Sequence, residues 1–158
     1  MSAGERPPPL QDFERRLAAV DWNACARPQG SDAAQVRAAL SQVLHAHDRA
    51  SSESAYQAVL SALADPHAGS YHAIALTALP WLGELMQHGQ GRTRSIALEA
   101  FFDLAFSFEP APGQQALAPE LARLARTWRP ALEAIAAQGG ADAVVAHQAL
   151  LTLEPGPD

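Results

Sequence analysis

One stretch constrains the fold more than any other: two helix-period segments joined by Gly89-Gln90-Gly91. From Tyr71 onward, Ala75, Ala78, Leu79, Leu82, Leu85 and Met86 recur at steps of three and four, one face of an α-helix, and Ile74 and Trp81 widen it. His72, Thr77, Glu84 and His88 lie largely off that face. The glycines are expected to end the helix through a left-handed backbone. Pro80 lacks an amide hydrogen, which predicts a kink or a fresh start at Thr77. In the second segment Ile96, Ala100, Phe101, Leu104 and Phe108 form one stripe, and Leu98, Phe102, Ala105 and Phe106 another. Ser95, Glu99 and Asp103 alone make a polar line, with Arg92 near its start. A helix apolar on most of its circumference is buried between neighbours, so the segment to Phe108 reads as an interior helix with that line as its solvent strip.

The remaining chain repeats the theme. Residues 1–9 are expected to be a mobile Pro-rich leader, and residues 10–154 a single helical repeat domain. Leu10–Val20 reads as a helix with Phe13, Leu17 and Val20 inward and Glu14, Arg15 and Arg16 exposed. A break over Asp21–Gly30 follows, with Trp22 packing over a helix end. Asp32 and Gln35 have capping-box spacing ahead of Val36, Ala39, Leu40, Val43 and Leu44. Ser51 or Ser52 is expected to cap a helix that turns Ala55, Tyr56, Val59, Leu60 and Leu63 inward and ends at Asp65-Pro66. After a loop at Glu109–Gly113, one helix is expected over Leu117–Ala137, with Pro119 in its first turn and Gly139-Gly140 as its stop. Asp142 is read as the cap of a last helix whose Val144, Val145, Leu150, Leu151 and Leu153 supply apolar surface. A shift of fifty residues overlays Pro80 on Pro130, Leu82 on Leu132, Leu85 on Ile135 and Gly89 on Gly139. Asp32–Ala46 with Ser52–Ala64 makes a weaker third copy. Each hairpin needs a neighbour to cover its apolar side. The expectation is therefore an all-α chain of about three stacked hairpins with the Leu10 helix as an N-terminal cap.

The segment from Tyr71 to Phe108 resembles a HEAT repeat: a proline-bearing first helix, a short turn, and an arginine near the start of a second Ala/Leu-rich helix, here Pro80 and Arg94. His45–Ala50 together with Ser70–Leu85 is similar to a group of bacterial HEAT-like proteins. The resemblance implies a short curved α-α superhelix used as a binding surface. It also implies a packing role for His45.

The 158 residues include 48% hydrophobic residues, much of them Ala and Leu, which favours helix over sheet. All eleven basic residues are arginine, the usage of a GC-rich bacterial genome, and the net charge is −6. An acidic surface repels phosphate and attracts a basic partner, so direct nucleic-acid binding is not expected. A lone Cys25, in a loop before Arg27, excludes an intramolecular disulfide, and no apolar run is long enough to span a membrane. A cytoplasmic location is expected.

No pattern for catalysis emerges. His45 and His47, with Asp48 beside them, are two apart and point to different sides of a helix, converging at a helix end only if the chain turns, and no second His/Cys cluster completes a metal site. There is no Gly-x-Ser-x-Gly elbow, dinucleotide fingerprint or phosphate loop. Neither a cofactor nor a metal is expected, and the chain is read as no enzyme. Between Asp48 and Glu109 seven acidic residues face three arginines, so the middle of the chain is its acidic part. The candidate partner-binding residues are Glu84, Arg92, Ser95, Glu99, Asp103 and Glu109. The expected function is an immunity protein that occludes a basic bacterial toxin domain. An adaptor with a housekeeping partner is the alternative reading, and an enzyme on a HEAT-like scaffold a more distant one.

Overall fold

The computed structural model describes residues 7–24 and 31–153. Residues 1–6 of the expected leader, the expected loop at Cys25 and the end at Pro155-Gly156-Pro157 lie outside the described residues. Eight α-helices follow in order: α1 (Phe13–Ala18), α2 (Ala33–His45), α3 (Arg49–Leu63), α4 (Ile74–His88), α5 (Gly91–Phe102), α6 (Leu117–Thr127), α7 (Arg129–Gln138) and α8 (Ala141–Leu153). Helix dominates, as the composition implies.

The hairpin signal holds. α2 packs on α3, α4 on α5 and α7 on α8. The fifty-residue echo fixes element ends: α4 stops at His88 and α7 at Gln138, while α5 starts at Gly91 and α8 at Ala141. Across hairpins, α5 contacts α2, α3 and α8, and α4 contacts α2, α3, α6 and α7. α4 is accordingly apolar on a wide arc, burying Ile74, Ala75, Ala78, Leu79, Leu82, Gly83, Leu85 and Met86. Each large side chain so buried contributes about 1.5–3 kcal/mol. α4 runs through Pro80 as one element and does not restart at Thr77. Packing on both sides outweighs the one lost backbone bond.

Several boundaries differ from expectation. The first helix is cut to six residues and follows a 3-10 turn at Pro8–Leu10, which takes up Pro8 and Pro9 of the expected leader. Trp22 is buried and its Nε1–H donates to the Leu17 carbonyl at 3.1 Å, closing the end of α1 as expected. The capping box at Asp32 and Gln35 forms, and all five inward residues of α2 are buried. α3, however, is capped by Asp48 and not by Ser51 or Ser52. Asp48 Oδ1 accepts from the Ser51 amide at 2.7 Å, and the buried Ser52 hydroxyl donates to the Asp48 carbonyl at 2.5 Å. Asp is the stronger acceptor, so the helix starts a turn earlier. At the α4–α5 turn the left-handed residue is Gly91 (φ 56°). Gly89 is extended, and a Cβ there would lie 2.2 Å from the Leu85 carbonyl oxygen.

The loops at Asp65-Pro66 and Glu109-Pro110 contain strands. β1 (Ala64–Asp65), β2 (Ser70–Tyr71) and β3 (Glu109–Pro110) form a small sheet in that order, β1 antiparallel and β3 parallel to β2. Nothing in a two-residue strand has a period to read. The expected helix over Leu117–Ala137 is two helices, broken at Trp128. Pro130 supplies no amide to continue the first. The break places the Trp128 indole over Gly83, where a Cβ would meet Trp128 Cε2 at 2.3 Å. On α8 the expectation is met in part: Val145, Leu150 and Leu153 pack against the core, but the most buried face is alanine. Ala143, Ala146 and Ala149 are buried, whereas Val144 and Leu151 are 60% and 69% exposed. Small residues allow the closest approach of α8 to its neighbours.

Candidate functional site

The polar line of α5 runs along a groove: Glu99 and Asp103 border it, and Ser95 lies one turn before them. Glu99 and Asp103 line a cavity of about 200 Å³ together with Tyr56 of α3, Phe102, and Val145 and Gln148 of α8. The interior helix is therefore polar where α3 and α8 diverge. Ser95 Oγ donates to Asp142 Oδ1 at 2.8 Å, and Arg94 Nε donates to Asp142 Oδ2 at 3.0 Å. Asp142 is thus a tie from α8 to α5, rather than only the cap of α8. Arg94, the arginine singled out by the repeat pattern, also donates to Gln138 Oε1.

Asp103 begins a π-turn over Asp103–Ser107, and the Phe108 amide donates to its carbonyl at 2.8 Å. This extra residue in the turn ends α5 before Phe108. The Asp103 carboxylate accepts a hydrogen bond from the Tyr56 hydroxyl. Burial, and then that bond, raises the Tyr56 phenol above its ordinary range. Tyr56, expected to face inward, is half-buried and serves the groove with its hydroxyl.

Glu99 has a different environment. It is exposed at the groove mouth and makes no hydrogen bond or ion pair among the described residues. Loss of surrounding water raises its carboxyl above the usual range, and the charges of Asp103 and Asp142 add to the effect. The groove thus combines a strained carboxylate with the apolar walls of Phe102 and Val145.

The other candidates are elsewhere. Glu84 binds Arg16 through both carboxylate oxygens, at 2.9 and 3.0 Å, and is 26% exposed. Arg16 also lies over the Trp81 and Phe13 rings, 5.4 and 5.8 Å from their centroids. It is not the free exposed arginine expected of the first helix. Arg92 is exposed and close enough to Asp48 to favour that carboxylate's charge, a smaller effect than the Ser51 bonds. Glu109 sits on β3, where its amide donates to the Gly69 carbonyl at 2.9 Å. The structure therefore joins Ser95, Glu99 and Asp103, and leaves Glu84, Arg92 and Glu109 apart. Tyr56, Val145 and Gln148 were missed as groove residues, and Asp142 as the tie of α8 to α5. Only Asp142 carried a signal, as a charge at the start of an otherwise uncharged helix.

His45 is 52% exposed and its Nε2 lies 3.0 Å from Glu14 Oε1, which also accepts from Ser41 at 2.5 Å. It links α2 to α1 through a polar contact, in place of the packing role implied by resemblance. Among the described residues no three His, Cys, Asp or Glu side chains are grouped to hold a metal ion, and no helix is long and apolar enough to cross a membrane. In comparisons with known proteins, the chain matches no family model, no curated protein and no solved structure.

Proposed function

We propose that this chain is a protein-binding module of the immunity type, which occludes a basic bacterial toxin domain in the cytoplasm. In this reading the three hairpins form a short HEAT-like superhelical stack capped by α1, and the groove among α3, α5 and α8 is the recognition surface. The observation that carries it is Glu99: a carboxylate with no ionic partner among the described residues, its charge disfavoured by water loss and by Asp103 and Asp142. A guanidinium or ammonium group entering the groove relieves that repulsion, and its methylene stem covers Phe102 and Val145. The net charge of −6 adds long-range attraction for a basic surface. The module acts by binding and blocking, without catalysis.

The test is affinity capture from the native bacterium at low and high salt, with wild type and Glu99→Arg, read by mass spectrometry. The expected result is one stoichiometric basic partner, retained by wild type at low salt and lost both at high salt and in the variant. Asp103 is left intact because it is tied to Tyr56. Equal capture by Glu99→Arg removes the groove from the reading, and a set of housekeeping proteins replaces immunity with an adaptor role.

A further inference from the structure

A second cavity, of about 630 Å³, is bordered by β1, by Ser70 of β2 and by the loop between them. Three polar side chains are buried among the described residues: Ser52, Thr93 and Ser70. Ser52 and Thr93 donate to backbone carbonyls, of Asp48 and Leu44. Ser70, 8% exposed, makes no side-chain hydrogen bond among the described residues. Along a strand successive side chains point to opposite faces. Tyr71 belongs to the hydrophobic core, so Ser70 points away from it, into the cavity that it lines. A buried hydroxyl without a partner costs about 1–3 kcal/mol, and a water or ligand is the usual reason for one.

The rest of the lining narrows the ligand. Ser61, His67 and His72 also carry no side-chain hydrogen bond among the described residues. Asp65 uses one carboxylate oxygen for the amides of His67 and Ala68, at 3.1 and 3.3 Å, and its other oxygen makes none. Among the described residues no arginine lines the cavity. Each of these groups can accept a hydrogen bond, the serines and histidines can also donate one, and the one fixed charge among the described residues of the lining is the negative Asp65. An anion is repelled by Asp65, the one carboxylate of the lining, and a purely apolar molecule leaves Ser70 unsatisfied. Pro66 and Pro112 offer apolar wall. The volume is in the range of small-molecule sites.

We propose that this cavity binds a small organic cation, an amine or amidinium head on an apolar body, with Asp65 and Ser70 as its acceptors. The site is independent of the α5 groove. The test follows backbone amide signals of the isotope-labelled protein by NMR while benzamidine is added, with benzoate as the size-matched anion. Saturable shifts with benzamidine at His67, Ala68, Ser70 and Ala111, and none with benzoate, are expected. Ser70→Ala and Asp65→Asn should each weaken binding roughly tenfold, the equivalent of one charge-assisted hydrogen bond. Both variants keep the fold, since Ser70 holds no bond and asparagine retains an acceptor for the two amides; an otherwise unchanged spectrum verifies this. No saturation, equal shifts with benzoate, shifts confined to Glu99 and its neighbours, or full affinity in both variants overturns the proposal.

Discussion

Arg16 and Glu84, 68 positions apart in the chain, meet as two forks, with guanidinium nitrogens 2.9 and 3.0 Å from the two carboxylate oxygens. Both are partly buried, and Asp12 Oδ1 accepts from Arg16 Nε at 2.9 Å. The pair fixes α1 onto α4, with the guanidinium also over Trp81. Glu84 thereby serves the fold, and its carboxylate is already occupied.

Breaking that fork leaves a partly buried guanidinium with half its partners. Glu84→Ala should lower stability by about 1–2 kcal/mol, after allowance for the residual exposure of both side chains. Arg16→Lys should recover only part, since an ammonium cannot match two oxygens and a ring face together. Urea unfolding measures both. A Glu84→Ala midpoint equal to that of wild type contradicts this assignment.

Glu99 gives a pH dependence of definite sign. Its carboxyl is raised in the folded state, by water loss first and then by Asp103 and Asp142. The folded state therefore holds the proton more tightly than the unfolded chain. Stability from this group is greatest in acid and declines as pH rises from the ordinary glutamate value through the raised folded value. Glu99→Gln should be more stable than wild type at neutral pH, and the gap should close as pH falls through that window. Melting temperatures across an acid-to-neutral series read it directly. A gap independent of pH refutes the stated environment.

α8 reverses the usual substitution logic. Ala146 is fully buried, so Ala146→Leu forces extra volume into a closed interface and should cost about 1–3 kcal/mol. Leu151 is 69% exposed, so Leu151→Gln should change stability by no more than about 0.5 kcal/mol. Equal losses in the two variants would place the wrong face inward.

Ser70→Ala removes an unsatisfied hydroxyl from a buried position. In the absence of ligand it should leave stability unchanged or raise it by about 1 kcal/mol, while binding in the β2 cavity weakens roughly tenfold. Gly83→Ala offers the contrast. Its Cβ has no room beneath the Trp128 indole, and a clear drop in melting temperature is expected.

The candidate site was partly legible. The i, i+4 spacing of Ser95, Glu99 and Asp103 placed three polar groups on one side of α5, because helical spacing follows from local geometry alone. What covers that side was not legible. Tyr56 of α3 and Val145 and Gln148 of α8 come from distant segments, and their approach depends on how hairpins pack. Glu84 has the same pattern as Glu99 in sequence. Only the arrival of Arg16 separates a structural ion pair from an unpaired carboxylate.

Helical character, the positions of the hairpins and most of the buried faces of α2, α4 and α5 were determined by the sequence itself. Periodicity, capping residues and glycine turns act within a few residues of where they stand. The tertiary structure decided the small sheet, the break at Trp128, and which side of α8 faces inward. A two-residue strand has no local signal, Trp128 is positioned by the gap over Gly83, and α8 is apolar on both sides after Asp142. There the choice was made by shape: Ala143, Ala146 and Ala149 take the buried positions, with Val145, Leu150 and Leu153 packed beside them.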